Sequence, residues 1–121
     1  MSRKEVKVVN VNDVKAVIPL MCDVEGFKVK RLITKSREGS DKLMLGICYV
    51  GPHAKGYRWS FTDKDEVYYV LKGKLRLKWN DNVVEFSVGD AVYLPAGHTY
   101  ELENLSDEEA VIVYVLTPPI E

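Results

Sequence analysis

Apolar and polar residues alternate with a period of two along most of the chain. The alternation runs through residues 5–11, 26–34, 42–50, 58–61, 66–71 and 74–79, then through 83–88, 91–94, 98–103 and 110–116. Successive side chains of a strand point to opposite faces, so this period predicts half-buried strands. The runs are rich in Val, Ile, Tyr and Leu, the residue types that pack well on a pleated sheet. The punctuation agrees. Lys72-Gly73 and Asn80-Asp81-Asn82 suit hairpin turns, because Gly, Asn and Asp tolerate positive φ. Gly89-Asp90 and Pro95-Ala96-Gly97 read as tight turns, Pro fixing φ and Gly supplying the left-handed position. A helical period survives nowhere beyond two turns. One short helical turn is predicted over 12–17, capped by Asn12 or Asp13, and 35–41 reads as an exposed loop. Many short strands with almost no helix predict an all-β sandwich or barrel.

Composition narrows the picture. The 121 residues are 46% hydrophobic, which suits one domain over 1–121 with its own core. Seventeen basic and eighteen acidic side chains give a net charge of −1, so bulk electrostatics offers no reason to expect nucleic acid or an anionic membrane as partner. The longest apolar run, 110–116, falls well short of the ~20 residues of a membrane span. The first ten residues lack the apolar centre of a signal peptide. The expected location is cytoplasmic. Two histidines and two cysteines are too few for zinc-finger or iron–sulfur chemistry. Cys22 and Cys48 form no C-x-x-C pair and read as reduced thiols in apolar surroundings.

Between residues 50 and 104 the turn residues follow an ordered spacing. Gly89, Pro95, Gly97 and Asn104 stand in the pattern G-x5-P-x-G-x6-N, Glu66 precedes Gly73 by seven positions, and Pro52-His53-Ala54 lies upstream. This spacing resembles that of the cupins, and the resemblance implies a double-stranded β-helix, or jelly-roll barrel. Its motifs would occupy about 50–104 and its N-terminal strands 1–49. Trp59-Ser60-Phe61, the run Asp65-Glu66-Val67-Tyr68-Tyr69-Val70 and the closing Val113-Tyr114-Val115 are similar to the ethanolamine-utilisation cupins. In the wider family a metal is held by two histidines of a His-x-His, the motif Glu and a later His. The matching positions here hold Trp59 and Phe61, or Ser60 and Thr62 with a spacer one residue shorter, then Glu66 and Tyr100. With all three imidazoles replaced, no cofactor is expected and a divalent metal is disfavoured. The fallback ligand set is Glu66, His98 and Tyr100.

Alternation places Trp59, Phe61, Glu66, Tyr68, Val70, Tyr100 and Leu102 on the inward face. A carboxylate ringed by aromatics has the composition of an organic-ligand site, and burial would raise its pKa. Glu66 and Tyr100 are the candidate acid–base pair of an isomerase, epimerase or lyase. Trp59, Phe61, Tyr68, His98 and Arg31 are candidate ligand contacts. The same aromatics could instead fill a solid barrel, with Glu66 bonded to a Tyr hydroxyl. His98 falls on the face of Tyr100 near the barrel mouth, whereas His53 is expected in an exposed turn. Arg31 shares a strand with Phe27, Val29 and Ile33. An interior Arg31 would need an anion, either Glu66 or a ligand carboxylate or phosphate; at the rim it would be a surface charge, the default reading.

The other face of 66–71 carries Val67, Tyr69 and Leu71. A strand apolar on both faces implies a second sheet packed against it, so a homodimer is expected, with strand 5–11 available for exchange. The resulting expectation is a small cytosolic cupin that binds a small organic molecule, such as a sugar or sugar acid. A non-catalytic sensor or structural dimer, and a metal-dependent isomerase, lyase or dioxygenase-like cupin with atypical ligands, remain as alternatives.

Overall fold

The computed structural model describes residues 4–121. Nine strands follow in order: β1 (Phe27–Ile33), β2 (Met44–Val50), β3 (Tyr57–Ser60), β4 (Asp65–Lys72), β5 (Lys74–Trp79), β6 (Asn82–Ser87), β7 (Ala91–Leu94), β8 (Thr99–Asn104) and β9 (Ala110–Thr117). They form two antiparallel sheets. The first has the order β1-β2-β9-β4-β7, the second β3-β8-β5-β6. Strands adjacent in the sheets are largely non-consecutive in the chain, the crossing pattern of a jelly roll. The all-β jelly-roll expectation is met.

Alternation builds the space between the sheets. β2 and β9 bury every second residue, and Val70, Leu75, Leu77, Leu102 and Ile112 are at most 2% exposed. These residues fill one end of the barrel. The turns carry the backbone their residues were expected to allow, with Asn80 at φ 52° and Gly97 at φ 97°. Gly73, at φ 96°, is further constrained, because a Cβ there would lie 2.7 Å from that of Ala110. Asn104, fully buried at the end of β8, donates to the carbonyls of Val50, Gly51 and Glu108 and accepts from the Ser106 backbone N–H and hydroxyl. One amide side chain thereby ties β8 to the turn after β2 and to the approach of β9.

Three local expectations are corrected. Residues 5–11 form no strand, and Val6 and Val8 are 96% and 93% exposed. Without a partner ladder, alternation alone leaves such a segment extended but unpaired. The helical turn is a short 3₁₀ segment, Val11–Asp13, and its cap is Asn10, whose side chain accepts from the Asn12 N–H. The 35–41 loop opens with one turn of α-helix, α1 (Lys35–Glu38), because Thr34 caps the Arg37 N–H and Gly39 closes it in the left-handed conformation. The two cysteines are unbridged, Cys48 buried and Cys22 half-buried. None of the helices is long and apolar enough to cross a membrane among the described residues.

Candidate functional site

At the end of the barrel opposite the packed leucines, the interior encloses a cavity of about 40 Å³. That is room for a few water molecules, since one needs ~10–15 Å³. Its floor and walls come from Tyr57 and Trp59 of β3, Glu66 and Tyr68 of β4, and Met44 and Cys48 of β2. Val29 and Arg31 of β1 and Tyr114 and Leu116 of β9 continue the wall, and Phe61, Pro19, Leu20 and Ile120 close it. The barrel interior is therefore part packed and part hollow.

Glu66 is the buried carboxylate of this cavity. Its Oε1 accepts from the Trp59 indole N–H at 2.9 Å. The expected Tyr hydroxyl is not its partner; the indole is. Burial pushes the Glu66 carboxyl up to about 7, and the Trp59 hydrogen bond offsets only part of that rise. At neutral pH the group can therefore either give or accept a proton. Burial also raises the Tyr57, Tyr68 and Tyr114 phenols and the Cys48 thiol far above neutrality. They present neutral hydroxyls and an inert thiol to the cavity. The Tyr57 hydroxyl is already committed to the Leu20 carbonyl at 2.7 Å.

Tyr114 reaches its place because β9 pairs it with Gly46 of β2. Its ring covers the glycine so closely that a Cβ at Gly46 would fall 2.5 Å from the ring. Arg31 is paired with the same glycine from the other side, β1 to β2. Its guanidinium stands beside Tyr114 and partly offsets the upward shift of that phenol. The Arg31 side chain is 18% exposed and bonds Glu121 through Nη1 at 2.9 Å, while its Nε is buried with no partner among the described residues. Arg31 thus lies between cavity and surface, and its anion is neither Glu66 nor bulk solvent. Beyond it the β1 register slips between Arg31 and Ile33. Ile33 consequently joins Leu45 on the outer face instead of sharing the face of Arg31.

The remaining candidates do not converge on Glu66. Tyr100 is buried but does not line the cavity. Its ring sits between Trp59 and Trp79, at centroid distances of 5.8 and 6.4 Å, and its hydroxyl donates to the Pro95 carbonyl at 2.5 Å. The expected Glu66–Tyr100 acid–base pair is therefore not assembled. His98 precedes β8 and turns its ring edge onto Tyr100, at 5.9 Å, with its Nδ1 3.5 Å from the Asn80 amide. His53 is in an exposed turn against Asp107. Among the described residues no three His, Cys, Asp or Glu side chains gather as a metal site. The groups around Glu66 are an indole N–H, neutral phenols, a protonated thiol and a guanidinium, which do not fit a divalent cation. Of the fallback set, His98 and Tyr100 are in contact, but neither lines the cavity that holds Glu66.

Sequence reasoning missed part of the lining. Tyr57 lies two residues before Trp59 on the same strand face, and Tyr114 and Leu116 follow from the alternation of β9, so these were recoverable. The closing residues Pro19, Leu20 and Ile120 carry no periodic signal.

A jelly roll whose two sheets hold a cavity with a buried Glu between them, and whose turns are set by positive-φ glycines, defines the class as a cupin-type barrel. The family model described as Cupin domain matches residues 46–116, and the chain belongs to this family. Among curated proteins, an uncharacterized protein of Streptomyces coelicolor is 32% identical over 56 residues, 46% of this chain. That match spans about half, 52%, of the length of the Streptomyces coelicolor relative. The polyketide cyclase RemF of Streptomyces resistomycificus is similar in structure, with a TM-score of 0.80 at 23% identity over 93% of this chain and 80% of its own. A candidate ethanolamine utilization protein Q of Salmonella typhimurium LT2 has a TM-score of 0.77 at 23% identity, over 94% of this chain and 87% of its own. The ethanolamine-utilisation resemblance is thus matched in fold.

Proposed function

We propose that the chain binds a small organic molecule in the barrel cavity, with Glu66 as its polar contact and no metal in the site. The observation that carries this reading is the state of Glu66. A carboxyl buried among Trp59, Tyr68 and Phe61 keeps one hydrogen bond, to the indole, and its second oxygen takes none among the described residues. A buried polar group with spare capacity, walled by aromatics, has the composition of a ligand pocket. Its pKa near neutrality suits a proton transfer of the isomerase or lyase kind, in which Glu66 alone would carry the proton. The fold itself names no substrate, since one architecture serves many chemistries. The test is a melting-temperature screen with sugars, sugar acids and amines on the wild type and Glu66→Gln. A ligand that raises the wild-type melting temperature and loses that effect in Glu66→Gln supports the reading. A flat response across the whole panel removes it.

A second reading concerns the outer face of the five-stranded sheet. The registers align Leu45, Val115, Val67 and Tyr93 in one row and Ile47, Val113, Tyr69 and Ala91 in the next. Val67, Tyr69, Leu71 and Tyr93 are 41%, 48%, 49% and 63% exposed, more than a water-facing sheet face of this size would favour. A second copy of the chain fits this patch best. From β2 to β7 the rows carry no charge to steer a different partner, the nearest being Lys30 beside Ile47 on β1, and a two-fold axis needs only the same patch twice. Sedimentation velocity across a concentration series checks it, and a monomer at every concentration rejects it.

A further inference from the structure

The cavity as it stands is too small for the ligand its walls suit. Organic-ligand pockets run to roughly 300–1,000 Å³, against about 40 Å³ here. Something that now fills the site has to leave. The segment after β9 is what fills it: Ile120 lines the cavity, and Glu121 follows it to Arg31. Few bonds hold this segment down. The Lys35 N–H donates to the Glu121 carbonyl at 2.6 Å, and Lys64 Nζ reaches the Pro119 carbonyl at 3.4 Å.

Arg31 is the point at which the segment and the cavity meet. Nη1 takes the Glu121 carboxylate, while Nε is buried, has no hydrogen-bond partner among the described residues, and belongs to a side chain that lines the cavity. A guanidinium is a fork made for two parallel hydrogen bonds to one carboxylate. Glu121 engages Nη1 alone, so the edge formed by Nε and Nη2 holds no carboxylate. An acid entering the cavity could take that edge with both its oxygens, and an unpartnered buried N–H costs free energy until something does.

We propose that Arg31 is the recognition group for the carboxylate of a small organic acid, and that Glu121 occupies it as an internal stand-in which the ligand displaces. Departure of Glu121 carries Ile120 away and enlarges the pocket. The acid then lies with its carboxylate at Arg31 and its body against Tyr114 and the aromatic wall. This rests on the cavity being a ligand site, and adds the class of ligand and the residue that competes with it.

Calorimetric titration with two matched pairs tests it: benzoate beside benzamide, and glucuronate beside glucose. Each is measured on the wild type, Arg31→Gln and Glu121→Gln. The acid of at least one pair is expected to bind the wild type roughly tenfold more tightly than its uncharged partner. Glu121→Gln is expected to strengthen acid binding by roughly twofold to tenfold, the worth of a partly exposed ion pair removed as competitor, and to strengthen binding of the uncharged partners by no more than that. Arg31→Gln is expected to erase the acid's advantage. Glu121 is 40% exposed on its side chain, so its variant keeps the test alive even where Arg31→Gln fails to fold. Uncharged partners that bind as well as their acids, or acid binding unmoved or weakened by Glu121→Gln, overturn the proposal while leaving the pocket reading intact. No binding by either member of either pair, in the wild type and in Glu121→Gln, overturns both.

Discussion

The Trp59 indole N–H donates to Glu66 Oε1 at 2.9 Å across the cavity floor. The two side chains come from different sheets, β3 and β4, so this bond links the halves of the barrel at its hollow end. Among the described residues it is also the only hydrogen bond to a carboxylate that is 9% exposed, and it is too weak to keep the group ionised at its ordinary pKa.

That imbalance predicts a pH dependence of stability. The folded Glu66 carboxyl titrates near 7, against 4.5 when unperturbed. Between those values the folded chain holds a proton that the unfolded chain has released, so stability falls as pH rises through this window and levels off above it. The full drop attributable to Glu66 is at most about 3 kcal/mol. Glu66→Gln keeps an acceptor for the indole and has no proton to lose. Urea midpoints at pH 5 and pH 8 are expected to differ less in Glu66→Gln than in the wild type, with the variant the more stable at pH 8. Equal pH slopes in the two proteins would show that Glu66 is ionised in the folded state.

The parts of this site that were legible in the sequence are those governed by strand period. Trp59, Glu66 and Tyr68 face inward because residues two apart share a face, and the turn glycines stand where positive φ is needed. Tyr100 obeyed the same rule and still fell outside the cavity. Alternation fixes a face but not a place around the barrel: the start of β8 pairs Tyr100 directly opposite Trp59, one strand further round, between Trp59 and Trp79 with its hydroxyl on the Pro95 carbonyl. Arg31 reads by default as a rim charge, with an anion needed only if it turns inward, and the sequence hides its partner, 90 residues away, because that pairing depends on how the chain after β9 folds back. The register slip after Arg31 was hidden for a related reason: Leu32 and Ile33 are both strand formers, and only pairing with β2 decides which is accommodated as the extra residue.

Gly46 is expected to reject even a methyl group. A Cβ would lie 2.5–2.6 Å from three atoms of the Tyr114 ring, and the ring is itself enclosed by Arg31 and the cavity wall. Gly46→Ala is expected to destabilise the protein by about 1–3 kcal/mol, the usual cost of overpacking. Combining it with Tyr114→Ala is expected to cost less than the two single changes added together, because the clash disappears with the ring. Denaturant unfolding of the four proteins checks this, and strict additivity would mean that the backbone, not the ring, absorbs the methyl.

Asn104 is expected to be structural and independent of any ligand. Its amide satisfies three carbonyls in a fully buried position. Asn104→Asp turns the donor into a further acceptor facing those oxygens and is expected to cost more than Asn104→Ala, which costs about 2–4 kcal/mol through the unmet carbonyls. Chemical denaturation gives the order of the two variants. The opposite order would place the main contribution of Asn104 in its packing.

The outer sheet face yields the sharpest separation between binding and assembly. Val113 lies at the centre of the apolar rows, flanked in register by Ile47 on β2 and Tyr69 on β4. Its side chain points away from the cavity, because its neighbours Ile112 and Tyr114 are the buried ones. Val113→Lys therefore places an ammonium in the middle of the proposed contact with a second copy, where two-fold symmetry brings a like charge from the partner into the same patch. The variant is expected to sediment as a monomer at concentrations where the wild type is a dimer, while retaining the wild type's affinity for any ligand found in the cavity. Dimers that persist in Val113→Lys would put the contact elsewhere on the surface. Loss of ligand binding together with the dimer would make the cavity depend on the partner, a coupling that the separation of the two sheet faces argues against.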